Sequence, residues 1–174
     1  NGEEPPARVR ELMIASDVIV IPTSKSMTHT HAKKNACVAG ARIATMPGIT
    51  EDMYFNGPIT ADYKEVEFLT KKLTALLDQA KQAEIRKDGC SLTLSLEGRK
   101  GVPSTGVYRE KGQSGNLPSG EAFIAPVEGS TSGEIIIDGS FAGIGVLEGP
   151  LKLFFENGNL VDAQGVDSQK LMEL

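Results

Sequence analysis

The residues with most chemical promise lie between Gly115 and Pro126, in the run GNLPSGEAFIAP. Gly115, Asn116, Pro118, Ser119 and Gly120 are turn formers, and the apolar Ala122-Phe123-Ile124-Ala125 that follows predicts a short buried strand. Glu121 stands at the junction. Functional groups gather on loops that rigid elements hold. A carboxylate where such a loop enters a strand suits a metal ligand or a general base. Glu128 and Asp138 follow at later strand positions. Convergence of the three acids on one site stays open beside the plainer reading of solvated acids and surface ion pairs.

His29 and His31 are the only histidines. Alternate residues of a strand share a face, and His-x-His can bind a metal. The pair adjoins the Ser/Thr-rich segment Thr23–Thr30, so helix capping or plain solvation is the alternative. Ser24, Ser26, Thr28 and Thr30 likewise either cap the helix that follows or hold an anion at its N-terminus. No Walker or dinucleotide glycine pattern occurs. No G-x-S-x-G elbow is present either, since Ser114 in GQSGN has the wrong spacing.

These groups need a frame, and the first half supplies alternating helix and strand signals. Pro5-Pro6 opens a helix with Val9, Leu12 and Met13 at helical spacing. Asp17-Val18-Ile19-Val20-Ile21-Pro22 is a continuous apolar run, the pattern of a parallel strand covered on both faces. A helix over His31–Ala39 is stopped by Gly40, and Ala41–Met46 predicts a second strand closed by Pro47-Gly48. The strongest helix spans Asp62–Gln82, with an apolar stripe of Val66, Leu69, Leu73, Leu76, Leu77 and Ala80 expected in the core, and Asp62 with Glu65 resembles a capping pair. After Ala83, Asp88-Gly89 and Asn157-Gly158 each stand between strand-like runs and signal hairpins, while Ile135-Ile136-Ile137 marks another strand. The fold class read from this order is α/β: a parallel-sheet α/β unit over residues 1–83, then a β-rich α+β unit over 84–174 that carries part of the expected metal site.

Bulk composition narrows the function classes. At 174 residues with 40% hydrophobic content, the chain can bury a core without disulfide staples. A net charge of −5 argues against nucleic acid as a partner. Cys37 and Cys90 lack C-x-x-C spacing and suit a reducing, cytoplasmic compartment. No apolar run approaches the roughly 20 residues of a membrane helix, and no signal-peptide pattern opens the chain. Asn1 at the start, and a helix-like beginning at Asp167–Leu174, read as cuts inside a longer polypeptide.

The order of motifs carries a resemblance. Gly2-Glu3-Glu4-Pro5-Pro6, Ser26-Met27-Thr28-His29-Thr30, Gly40–Ile49, Gly115–Glu121, Ile137-Asp138-Gly139-Ser140 and Glu156-Asn157-Gly158 follow in succession. Together they resemble the leucyl aminopeptidase (aminopeptidase T) family of metallopeptidases across nearly the whole chain. The resemblance implies a hydrolase of peptides, a metalloprotease with two zinc or cobalt ions, with Glu121 as the one metal ligand that this segment supplies. It also implies a homodimer. Where the peptidases carry two adjacent acids, this chain has Gly120-Glu121. That form is closer to a branch resembling dihydroxypyridine ring-cleaving dioxygenases, in which one non-haem iron is held by two histidines and an aspartate from a later segment and Glu121 would line the pocket. A binding or assembly module without catalysis is the third reading.

Overall fold

In the computed structural model, which describes residues 3–173, helices alternate with strands at first and then give way to strands. The order is α1 (Ala7–Ile14), β1 (Val18–Thr23), α2 (His31–Val38), β2 (Arg42–Pro47), α3 (Glu51–Phe55), a 3-10 turn at Pro58–Thr60 and α4 (Tyr63–Gln79). There follow β3 (Gln82–Lys87), β4 (Cys90–Ser95), β5 (Val102–Ser104), β6 (Ser114–Asn116), β7 (Glu121–Phe123) and β8 (Ser132–Ile137). The chain continues with β9 (Ser140–Phe141), β10 (Gly145–Val146), β11 (Leu151–Glu156), β12 (Asn159–Gln164) and α5 (Ser168–Met172). Asn1, Gly2 and Leu174, on which the Gly2–Pro6 motif and the Asp167–Leu174 segment draw, lie outside the described residues.

The α/β class holds. Two compact units divide the chain: one runs to Ala75 and takes back Val102–Phe123, and the other holds Leu76–Gly101 and Ile124–Leu174. A single cut near residue 83 differs from this in one consequential way. The return of 102–123 puts Glu121 in the first unit, because β6 completes a parallel sheet with strands that come far earlier in sequence.

In the first unit β1, β2 and β6 form a parallel sheet in that order. β2 is central and nearly all buried, with Ile43 at 0% exposure; Met13, Ile21, Ala32, Ala36 and Ala41 pack in the same core. β1 is an edge strand, and Val18 and Val20 are exposed, so it is not covered on both faces as its apolar run suggests. The α4 stripe also departs from expectation. Leu69, Leu73 and Leu76 are exposed with Phe68, whereas Thr70 and Thr74 are the buried positions. Thr74 manages this by donating its hydroxyl to the Thr70 carbonyl at 2.8 Å.

The second unit is a five-stranded antiparallel sheet, β12-β11-β8-β4-β3, with a small β9–β10 pair. Both expected hairpins form. Asp88 (φ 49°) with Gly89 (φ 81°) and Asn157 (φ 49°) with Gly158 (φ 80°) take the left-handed backbone that a type I′ turn demands. Alternation on β11 buries Leu151 and Leu153, and Cys90, Leu92 and Leu96 are buried in the same unit.

Candidate functional site

The carboxyl ends of parallel strands are where open α/β sheets bind ligands, and polar groups gather there in the first unit. β2 and β6 set Thr45 opposite Asn116 in register. Thr45 is buried, so its hydroxyl must find a protein partner. It donates to Asn116 Oδ1 at 2.5 Å, and Thr28, from the loop after β1, donates to the same oxygen at 3.0 Å. Ser26 donates to Thr28 Oγ1 at 3.0 Å. From the other side Tyr108 Oη donates to the Asn116 carbonyl at 2.8 Å. Burial pushes the Tyr108 phenol up from its ordinary pKa, so it serves as a neutral donor. This packing explains Gly115: a Cβ there would stand 2.2 Å from Tyr108 Oη.

Glu121 opens β7, which pairs antiparallel with β5 so that Glu121 faces Ser104 across the ladder. The turn before it is tied down by Ser119 Oγ donating to the Ser104 carbonyl at 2.8 Å and by Gly120 N–H donating to the same carbonyl at 3.0 Å. Gly120 takes φ +135°, a backbone region that disfavours any side chain. Glu121 is exposed, and its side chain makes no ion pair or hydrogen bond among the described residues. The strand it opens ends at Phe123, which is half exposed, so the expected buried strand Ala122–Ala125 is a short edge instead.

Two adjoining depressions of about 370 and 360 Å³ share Ser104, Asn116 and Glu121 as walls. Each lies at the low end of small-molecule sites, roughly 300–1,000 Å³. His29, Tyr108 and Phe123 line one of them, and Pro58 and Ser119 the other. His31 lies elsewhere, in a hollow against α1. The two histidines therefore do not face one metal. Thr30 caps α2, its oxygen accepting from Lys33 N–H at 3.3 Å. The anion position at that helix start is filled by the chain's own Glu4, which accepts from the backbone N–H groups of His31 and Ala32. Burial raises the pKa of Glu4, but those two N–H groups and nearby positive charge outweigh it and hold it below its ordinary value. Glu128 and Asp138 belong to the second unit, where Arg99 pairs with the first and Lys87 with the second. Thr45, Ser104 and Tyr108 escaped the sequence reading, and Asn116 entered it only as a turn former. The legible signal was Thr45, a lone hydroxyl in an apolar strand run.

Comparison with known proteins adds the family. The family described as NicX, 2,5-dihydroxypyridine 5,6-dioxygenase, matches residues 4–173. The chain belongs to this dioxygenase family. Among solved structures, that of 2,5-dihydroxypyridine dioxygenase from Pseudomonas putida KT2440 is similar, with a TM-score of 0.75 and 21% identity over 95% of this chain. At that identity the likeness establishes the fold alone. This chain spans 48% of that one. No curated protein matched.

The membership corrects the aminopeptidase reading, and with it hydrolysis, proteolysis, peptide as substrate and the zinc or cobalt pair. Gly120-Glu121, where the aminopeptidase resemblance implies two adjacent acids, is the residue-level departure that agrees with this correction. A dioxygenase family implies a metal cofactor. The described residues do not form a site for it: no group of three or more His, Cys, Asp or Glu comes together among them. The facial arrangement typical of non-haem iron oxygenases needs two histidines and a carboxylate. No described helix is long and apolar enough to cross a membrane.

Proposed function

We propose that this chain is the substrate-holding part of an iron-dependent, ring-cleaving dioxygenase that acts on 2,5-dihydroxypyridine or a closely similar hydroxylated pyridine. The carrying observation is the pair of depressions walled by Asn116, Glu121 and Ser104 in a chain of this family. Their chemistry suits a flat ring with polar edges. Phe123 and Val102 offer apolar surface, while the Asn116 amide and the Glu121 carboxylate offer a donor and an acceptor at the rim. His29 lines the same depression, and an imidazole there suits removal of a ring-hydroxyl proton. In this reading Glu121 holds the substrate edge, and iron is held by residues outside those described.

The test is anaerobic loading of the full-length parent protein with ferrous iron, followed by addition of 2,5-dihydroxypyridine and air. Oxygen uptake matched by loss of the pyridine absorbance, abolished by a chelator, is the expected result. Neither signal under any iron loading would sink the reading.

A further inference from the structure

We propose that Asn116 is the residue that orients the aromatic substrate, its side-chain Nδ2 donating a hydrogen bond to an acceptor oxygen on the ring; this rests on the ring-cleaving reading above. A threonine hydroxyl has one hydrogen to give. Thr45 Oγ1 lies 2.5 Å from Asn116 Oδ1, against 3.3 Å from the Gly115 carbonyl and 3.1 Å from Thr28 Oγ1, so its hydrogen goes to the amide oxygen, and Thr28 donates to the same oxygen at 3.0 Å. Ser26 supplies the hydrogen bond that Thr28 Oγ1 accepts, and its own oxygen accepts from Thr28 N–H at 3.2 Å. The hydroxyl hydrogens of Ser26, Thr28 and Thr45 are thereby used, and the amide is fixed with its oxygen towards the two threonines. Its other end, Nδ2, has no hydrogen-bond partner among the described residues. Yet no buried side-chain nitrogen or oxygen among them lacks a partner. Nδ2 is therefore not sealed in. Asn116 lines both depressions beside Glu121 and Ser104, and the proposal gives its free amide end to their occupant.

The backbone is held as firmly as the side chain. Asn116 ends β6, its carbonyl takes the Tyr108 hydroxyl, and the next N–H, of Leu117, donates to the Thr45 carbonyl at 2.9 Å. A donor fixed at four points loses little entropy on binding, which is what preorganisation means. An amide N–H₂ cannot accept. It therefore selects a ring carrying an oxygen with a free lone pair at that edge over a ring lacking one.

The experiment uses the full-length, iron-loaded parent without oxygen, so that binding is read without turnover. Calorimetric titration with 2,5-dihydroxypyridine compares the wild type with Asn116→Asp and Thr45→Val. Asn116→Asp keeps an oxygen for Thr28 and Thr45 to donate to, so a purely structural role survives it, but it replaces the donor with a second acceptor. The expected result is about tenfold to a hundredfold weaker binding, the scale of a lost hydrogen bond to a charged or polarised oxygen, with an unchanged melting temperature. Thr45→Val, which frees the amide, weakens binding less, and the double variant is no worse than Asn116→Asp, because the two act as one device. Titration with 2-hydroxypyridine and 3-hydroxypyridine adds a sharper reading. One of them binds the wild type more weakly by a similar factor, and in Asn116→Asp that difference disappears. If Asn116→Asp binds dihydroxypyridine as well as the wild type, or still discriminates between the analogues, the proposal is wrong while the ring-cleaving reading stands. If the wild type itself binds no dihydroxypyridine, both fall together.

Discussion

The second unit and the cleft of the first use their polar side chains in opposite ways. In the second, acids are answered by cations: Glu128 by Arg99, Asp138 by Lys87, Glu134 by Lys152 at 2.9 Å, and Asp167, 1% exposed, by Lys170 at 2.7 Å. In the first, away from the cleft, Glu67 pairs with Lys71 in the same manner. Around the cleft the pattern changes. The Asn116 amide is satisfied at its oxygen and open at its nitrogen, and Glu121 has no ion pair among the described residues. A paired side chain is used by the fold. In the proposed function, a side chain that is fixed in place but left open is held for a ligand.

The largest expected effect is in the second unit's core. Leu151 is fully buried on β11, so Leu151→Ala costs about 2–5 kcal/mol of stability, the range for a buried leucine truncated to alanine. Urea titration of the full-length protein measures it. Substrate affinity of the folded fraction is expected to stay as in the wild type, and weaker binding there would break the comparison. Glu121→Gln is the opposite case. Its side chain is exposed and unpartnered, so the melting temperature is expected to hold while kcat/KM for dihydroxypyridine falls about tenfold to a hundredfold. Full turnover in that variant would show that an open carboxylate at a cleft mouth means nothing here.

Much of the frame was legible because local chemistry decides it. Asp88-Gly89 and Asn157-Gly158 force hairpins through backbone φ alone, and β1, α2 and β2 form within a residue or two of their apolar patterns and stop signals. Periodicity failed on α4 for a physical reason. It reports that one face is apolar, not whether anything covers that face, and the described chain leaves Leu69, Leu73 and Leu76 exposed. The site was half legible. Glu121 stood out as an acid at a loop-strand junction. Asn116 did not, because its role comes from Thr28, 88 positions away, and Thr45, 71 positions away, and no spacing rule links residues that only a parallel sheet brings together. Likewise Glu128 and Asp138 looked available until their cations appeared across neighbouring segments.

A smaller effect is expected from the buried acid of the second unit, and it has a sign in pH. The Asp167 carboxyl is held below its ordinary range first by the Lys170 hydrogen bond and then by the Glu148 N–H, against burial, which raises it. Its contribution to stability is therefore complete above the ordinary carboxylate pKa and is lost as pH falls through the lowered folded value. Asp167→Asn is expected to lower the melting temperature by a few degrees at neutral pH and to flatten its decline in acid. An undiminished acid decline in the variant would mean that this pair is not what the fold relies on.

The smallest expected effect tests the distinction most directly. Glu128, like Glu121, is an exposed acid near a strand. The difference is that Glu128 is paired with Arg99. Its own backbone N–H and then that guanidinium hold its carboxyl below the ordinary value. The Glu128 side chain is 84% exposed, so water screens the attraction and the ordering of two long side chains offsets much of what remains. Glu128→Gln should leave both the melting temperature and kcat/KM within experimental error, and raising the salt should change the wild type and the variant alike. If the variant instead lost iron or turnover, an acid already answered by a cation would be serving the reaction. Pairing would then no longer tell the residues of the fold from those of the site.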